Sequence, residues 1–381
     1  MDTRTRPRSL QAFRDAAATL VNPAMQEWKK QGGRIVGYFC SGVPEELLLA
    51  GGFLPFRMRA TGSTSTELSD AYYSSINCSF PRHCFNLALM GSFDFLDGIV
   101  CLNSCDHVRR LYDNWKRFVK PLYLEMMSLP RKTEAPQVEW YRDEINNLRR
   151  SLEDYFQITI ADSQIREAIK QRNEIRGLQR QLYGLRKSSN PPISGSDALA
   201  VVVAGTALPR DRYLEYLRDL VNELGPMRGN GDYRARIMIV GGILDDPAYI
   251  DVIEEQGGLV VTDSLCFGAR TLWKDVDESI ADPVTALAQY YVADRLSCPR
   301  TYGDHERRSE FILNMVREFK VDGIIGERLL FCDQWLGENI MLNHDFKDAG
   351  IPFLELDREY TLGGVGQLRT RVQAFLETIE R

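Results

Sequence analysis

The sequence predicts an α/β protein of two tandem doubly wound, parallel-sheet domains (flavodoxin- or Rossmann-like), joined by a helical segment, with a cleft between them. Short apolar runs alternate with helical patterns in both halves. A charged stretch over residues 138–187 interrupts that alternation, and four features of the first half recur in the same order in the second. At 381 residues the chain is too long for one compact α/β unit and suits two.

Residues 8–30 read as one amphipathic leading helix. Arg34 to Cys40 is a short apolar strand, and Pro44 suits the first turn of the helix after it, with Gly51-Gly52 at that helix's end. Leu54–Met58 is a second strand, and a helix follows near Pro81–Met90. Asp97–Leu102 is a third strand, His107–Phe118 a helix, and Pro121–Met126 a fourth strand. Residues 138–158 and 162–187, rich in Glu, Arg, Gln and Leu, read as two long solvated helices, and Ser188–Gly195 as a loop. The repeat then begins. Arg236–Gly242 meets Pro247 as the first strand meets Pro44, and Gly257-Gly258 stands where Gly51-Gly52 does. Val321-Asp-Gly-Ile-Ile325 leads to Cys332-Asp333 as Leu96-Asp-Gly-Ile-Val100 leads to Cys105-Asp106, and Pro352–Leu356 echoes Pro121–Glu125. The expected domains are 1–135, a connector 136–195, and 196–381.

Hydrophobic residues at 44% and charged residues at 26% are ordinary for a globular chain, and a net charge of −6 argues against a nucleic-acid surface. No apolar run approaches the roughly 20 residues of a membrane span. Met1 to Arg8 lacks the apolar core of a secretory signal, so a cytoplasmic location is expected.

Eight cysteines then need a cause, and a reducing compartment disfavours disulfides. A single cysteine is most often a small core residue. Cys40, Cys105, Cys266 and Cys332, however, lie at or just after the carboxyl ends of expected strands, where open parallel sheets bind ligands. Cys101 lies inside a strand and reads as core. Cys78 precedes a helix, whose positive end favours a thiolate. Thiolates converging from two halves suggest zinc or an iron–sulfur cluster. The chain has no Cys-x2-Cys pair and only four histidines, and scattered ligands suit a cluster seated between domains.

Four segments carry a family resemblance: Gly37-Tyr-Phe-Cys-Ser-Gly-Val-Pro-Glu-Glu-Leu47; Asn77-Cys-Ser-Phe-Pro-Arg82; Phe95-Leu-Asp-Gly-Ile-Val100 with Ser104-Cys-Asp106; and Gly366-Gln-Leu-Arg-Thr-Arg-Val-Gln-Ala-Phe375. In order over most of the chain, they resemble the 2-hydroxyacyl-CoA dehydratase and benzoyl-CoA reductase family, above all the smaller cluster-bearing subunit of the ATP-dependent reductases. The resemblance implies a [4Fe-4S] cluster held by Cys78, Cys105 and Cys332. It also implies a homologous cluster-bearing partner subunit, an ATP-hydrolysing iron–sulfur activator and an acyl-CoA substrate. Low-potential electrons would then reduce an aromatic thioester ring or, in a dehydratase, expel water from a 2-hydroxyacyl thioester through a ketyl radical. Cys84, Cys266, Cys298 and Cys40 are further available thiols, and with them the larger [8Fe-9S] double-cubane cluster is the alternative. Two other readings are a non-catalytic relay or structural partner subunit and a metal-free small-molecule-binding protein.

Ser41 and Glu46 follow the first strand at the expected cleft mouth, as candidates to bond a carbonyl or move a proton. The same pattern also describes a helix cap with a first-turn acid. His83 and His107 flank proposed ligands and are candidate proton donors. Thr361-Leu-Gly-Gly-Val-Gly366 precedes the last helix but lacks the Gly-Lys-Ser/Thr of a phosphate loop, so ATP chemistry is assigned to a partner.

Overall fold

The computed structural model describes residues 7–119, 123–229 and 231–379. Its strands are β1 (Arg34–Tyr38), β2 (Phe53–Arg57), β3 (Gly98–Leu102), β4 (Tyr123–Met127), β5 (Ala235–Gly241), β6 (Gly258–Ser264), β7 (Gly323–Leu329) and β8 (Phe353–Arg358). They form two four-stranded sheets with the same order, β2-β1-β3-β4 and β6-β5-β7-β8, and every pairing is parallel. The fold is α/β, as expected, and the repeat in the sequence is a repeat in topology. Continuous apolar runs such as Gly98–Leu102 and Ile237–Gly241 are buried along their whole length because helices cover both faces of a parallel sheet. In each half the chain leaves the inner strand for one edge and returns on the other side. The switch points therefore fall between β1 and β3, and between β5 and β7.

The expected leading helix is two helices, Arg8–Ala18 and Pro23–Lys30. Asn22 caps the second, accepting the N–H of Met25 at 3.0 Å, and Pro23 fixes its first turn, so the break was written in Asn-Pro. The first two residues of the expected fourth strand, Pro121 and Leu122, lie outside the described residues. The connector forms the two expected helices, Ala135–Phe156 and Asp162–Leu185, but they are not solvated. Tyr141, Ile145, Leu152, Ile165 and Ile169 are buried in the core of the first half, since every third or fourth residue is apolar. Two more helices, Gly195–Ala204 and Arg210–Leu224, precede the second sheet.

The halves exchange core. Leu10 and Phe13, from the start of the chain, pack with Leu182 and Leu217 far downstream. Val276, Val284, Tyr290 and Val292, from the second half, pack under the first sheet with Val36, Leu47 and Tyr141. Hydrogen bonds lock the same boundary. Arg300 donates to the carbonyls of Ser104 (3.1 Å), Pro130 (2.7 Å) and Leu129 (2.9 Å). Arg295 donates to Ser41 (2.6 Å), Gln334 to Ser104 (3.1 Å), and Arg57 in the opposite sense to Cys266 (2.5 Å). Strand-end loops leave carbonyls without ladder partners, and a guanidinium with five donors satisfies several at once.

Replacing Arg300 by Ala should therefore lower unfolding stability by about 1–3 kcal/mol, read by anaerobic urea denaturation. Arg300→Lys should recover only part, since one ammonium cannot span the acceptors of a fork. A Cβ at Gly241 would collide with the carbonyl oxygen of Glu327 on the adjacent strand. Gly241→Ala should cost on the order of 1–3 kcal/mol in the same assay. Gly337 lies mid-helix with nothing within 4 Å of its added Cβ, and Gly337→Ala should gain about 1 kcal/mol.

Candidate functional site

Six of the eight cysteines, Cys40, Cys78, Cys105, Cys266, Cys298 and Cys332, line one cavity of about 380 Å³ between the two sheets. All are free thiols. The remaining walls include Met58, Phe80, Phe267, Leu329 and Trp335, so the space is largely apolar.

Topology brings the sulfurs there. Cys40 follows β1 and Cys105 follows β3, on either side of the first switch point, and Cys332 follows β7 at the second. Cys40 adopts a left-handed backbone (φ 74°), which a non-glycine residue holds only when its surroundings dictate it. Cys78, Cys105 and Cys332 share a local design: each is the residue immediately before a helix, respectively Ser79–Leu89, Asp106–Phe118 and Asp333–Asp348. First-turn amides face each sulfur: Phe80 N–H faces Cys78, Val108 and His107 face Cys105, and Trp335 faces Cys332. Such amides favour a thiolate. Cys266 follows β6 and accepts from Arg57 Nη2 at 3.1 Å, while its own thiol donates to the Gly242 carbonyl at 3.1 Å. Cys298 sits in a Cys-Pro loop after the π-turn Tyr290–Asp294.

The thiols lie close enough to feel one another. Burial first, then the thiols of Cys332 and Cys105, push Cys78 up. Burial, then Cys40 and Cys298, do the same to Cys105. Burial, then Cys298 and Cys105, raise Cys332 to about 12, and burial, with Cys40 and Cys266, raises Cys298. Burial thus disfavours the ionised form of Cys78, Cys105, Cys298 and Cys332, and a bound metal would compensate that cost as it displaced their protons. Among the described residues, no three His, Cys, Asp or Glu side chains close on a single point as one metal ion requires. The six cavity sulfurs are donors of the type that hold iron–sulfur clusters.

The other residues singled out from the sequence divide. Ser41 and His107 line the cavity. The two ring nitrogens of His107 lie 2.8 Å from Asn77 Oδ1 and 2.9 Å from the Phe331 carbonyl, so the ring ties the Cys78 loop to the Cys332 loop. Glu46 stands away from the cavity, fully buried, paired with Arg176 and accepting from Tyr291 at 2.8 Å. Burial opposes its ionisation, but Arg176 and Arg172 outweigh that and hold the carboxyl below its usual range. His83 is also outside; its Nδ1 lies 2.8 Å from Ser63 Oγ and its ring packs on Tyr360. Cys84 and Cys101 are both sealed in the apolar core of the first half. Cys84 falls on the buried face of its helix, which the bare Cys78-x5-Cys84 spacing does not reveal. The glycine loop at 361–366 contributes only Thr361 and Leu362 to a separate cavity, beside Asp245 and Arg14. Sequence reasoning missed Arg57 and Arg270, both cavity-lining; isolated arginines carry no motif.

Comparisons with known proteins bear on this arrangement. The sequence model for the D-component of 2-hydroxyglutaryl-CoA dehydratase matches residues 40–379. One of the benzoyl-CoA reductase subunits of Thauera aromatica is 27% identical over 364 residues, 94% of either chain. The (R)-phenyllactyl-CoA dehydratase beta subunit of Clostridium sporogenes is 26% identical, covering 96% of this chain and 98% of the relative. The beta subunit of (R)-2-hydroxyglutaryl-CoA dehydratase from Acidaminococcus fermentans is 24% identical, covering 93% and 95%. Among the described residues no helix is long and apolar enough to cross a membrane. With the match running from the first cavity cysteine to the last helix, the chain belongs to the family of the 2-hydroxyglutaryl-CoA dehydratase D-component, which includes subunits of dehydratases and of benzoyl-CoA reductase.

Proposed function

We propose that this chain is the iron–sulfur subunit of an oxygen-sensitive, low-potential reductase that passes single electrons to an aromatic acyl-CoA thioester. The observation that carries the reading is the meeting of six thiols from both halves in one apolar cavity. Bound there, an iron–sulfur cluster would supply one-electron chemistry. Cys78, Cys105 and Cys332 would hold it at three helix N-termini, and the surrounding apolar walls would limit water. The aromatic thioester is taken from the likeness to the benzoyl-CoA reductase of Thauera aromatica. The homologous partner subunit and the ATP-hydrolysing electron donor follow from the same family. A 2-hydroxyacyl thioester, the substrate named in the dehydratase relatives, is the second reading for the same electron.

The cluster itself has two forms in this reading. Three ligands suffice for [4Fe-4S]. The larger [8Fe-9S] form is the alternative, for which Cys40, Cys266 and Cys298 stand in the same cavity. Anaerobically purified protein should carry about eight irons per chain in that form, and about four in the smaller. An iron-free, colourless preparation would remove the redox reading altogether. Cys105→Ala should abolish the bound iron, whereas Cys101→Ala should keep it and cost about 1 kcal/mol of packing stability. Equal iron loss in both variants contradicts the assignment. With a strong reductant and the ATP-coupled donor, benzoyl-CoA should be consumed faster than a 2-hydroxyacyl-CoA; the reverse order selects the dehydratase reading.

A further inference from the structure

We propose that Arg57 and Arg270 are electrostatic positioning residues of the cavity, supplying the positive charge that sets how readily its iron–sulfur core accepts an electron. The inference rests on the cluster reading above and concerns residues outside the ligand set.

Both guanidinium groups are buried, with 5% and 4% of their surface exposed. Burying a cation is costly unless an anion or several acceptors compensate it. Arg57 ends β2 in the first half and reaches across to Cys266 of the second, bonding its carbonyl at 2.5 Å and its sulfur at 3.1 Å. The guanidinium lies 3.6 Å over the Phe267 ring, which fixes its plane against the cavity wall. Burial works against the charge of this guanidinium, but its neighbours, Cys266 foremost, more than offset that and hold it above its ordinary range. Arg270, on the short helix Ala269–Leu272, donates Nη2 to the Gly241 carbonyl at 2.9 Å and stacks on Trp335 at 4.8 Å. Its Nη1 is buried without a hydrogen-bond partner in a side chain that lines the cavity. The nearby carboxylate Glu327 feels the charge of Arg270 but is paired with Arg358 at 2.7 Å. Two buried cations thus face a ring of thiols, one bonded to a sulfur and the other with a donor to spare.

An iron–sulfur core counted together with its thiolate ligands carries net negative charge, and each added electron makes that charge larger. Fixed positive charge and N–H bonds at its sulfurs therefore stabilise the reduced form more than the oxidised one. Removing either guanidinium charge should move the reduction potential to more negative values.

The test is an anaerobic redox titration followed by electron paramagnetic resonance, with iron per chain measured on every sample. Arg57→Gln and Arg270→Gln carrying wild-type iron should each show a more negative midpoint potential, and Arg57→Lys and Arg270→Lys should return most of that shift. Arg59→Gln serves as control: Arg59 is equally buried but donates to the carbonyls of Ala16, Ala17 and Thr19, so its loss should cost stability and leave the potential unchanged. Unaltered potentials in both iron-loaded Gln variants overturn the proposal. If a Gln variant fails to hold iron, the matching Lys variant decides. Iron retained at the wild-type potential upholds the need for charge, and iron lost there too marks a steric role and overturns it. Iron absent from the wild-type protein is a separate failure, of the cluster reading itself.

Discussion

The architecture depends on hydrogen bonds made across the boundary between the two halves, at the ends of their strands. A parallel sheet leaves carbonyls unpaired where its strands stop, and a closed boundary leaves them no water. Here each half fills the other's deficit: Arg300, Arg295 and Gln334 reach back to the loops after β1, β3 and β4, and Arg57 reaches forward to the loop after β6. The exchange of core segments, Leu10 and Phe13 one way and Val284 to Val292 the other, makes the boundary part of both cores. A cavity at such a boundary keeps its shape because its walls are held from both sides.

That rigidity gives the thiols their chemistry. Cys78, Cys105 and Cys332 occupy three helix starts whose amides converge on sulfur, and all are pushed towards the neutral form by burial and by one another. Loops free to move would let such thiols part or pair as disulfides. Held apart around a fixed space, they form a donor set of the kind the proposed cluster would need. The family includes reductase and dehydratase subunits, and two buried arginines, Arg57 and Arg270, stand in the cavity wall beside the sulfurs.

Much of this was legible in the residues. The strand-end positions of Cys40, Cys105, Cys266 and Cys332 follow from apolar runs that stop just before them, and the helix expected near Pro81–Met90 begins directly after Cys78, at Ser79. Other features were not. Glu46 sits in the first turn of the helix Glu45–Ala50, beyond a cavity-lining Ser41, and only packing shows that its side chain turns away to Arg176. Cys84 and Cys298 look alike as isolated cysteines; one faces the core and the other the cavity.

The sequence by itself determined the local pattern: alternating strands and helices, the duplicated order of features, and which cysteines end strands or begin helices. These depend on residues near one another along the chain, whose periodicity and capping chemistry are read directly. Tertiary structure alone decided which thiols share a space, which cations stand behind them and which half closes over which. Those outcomes join residues as distant as Arg57 and Cys266, and no local periodicity records a contact across that separation.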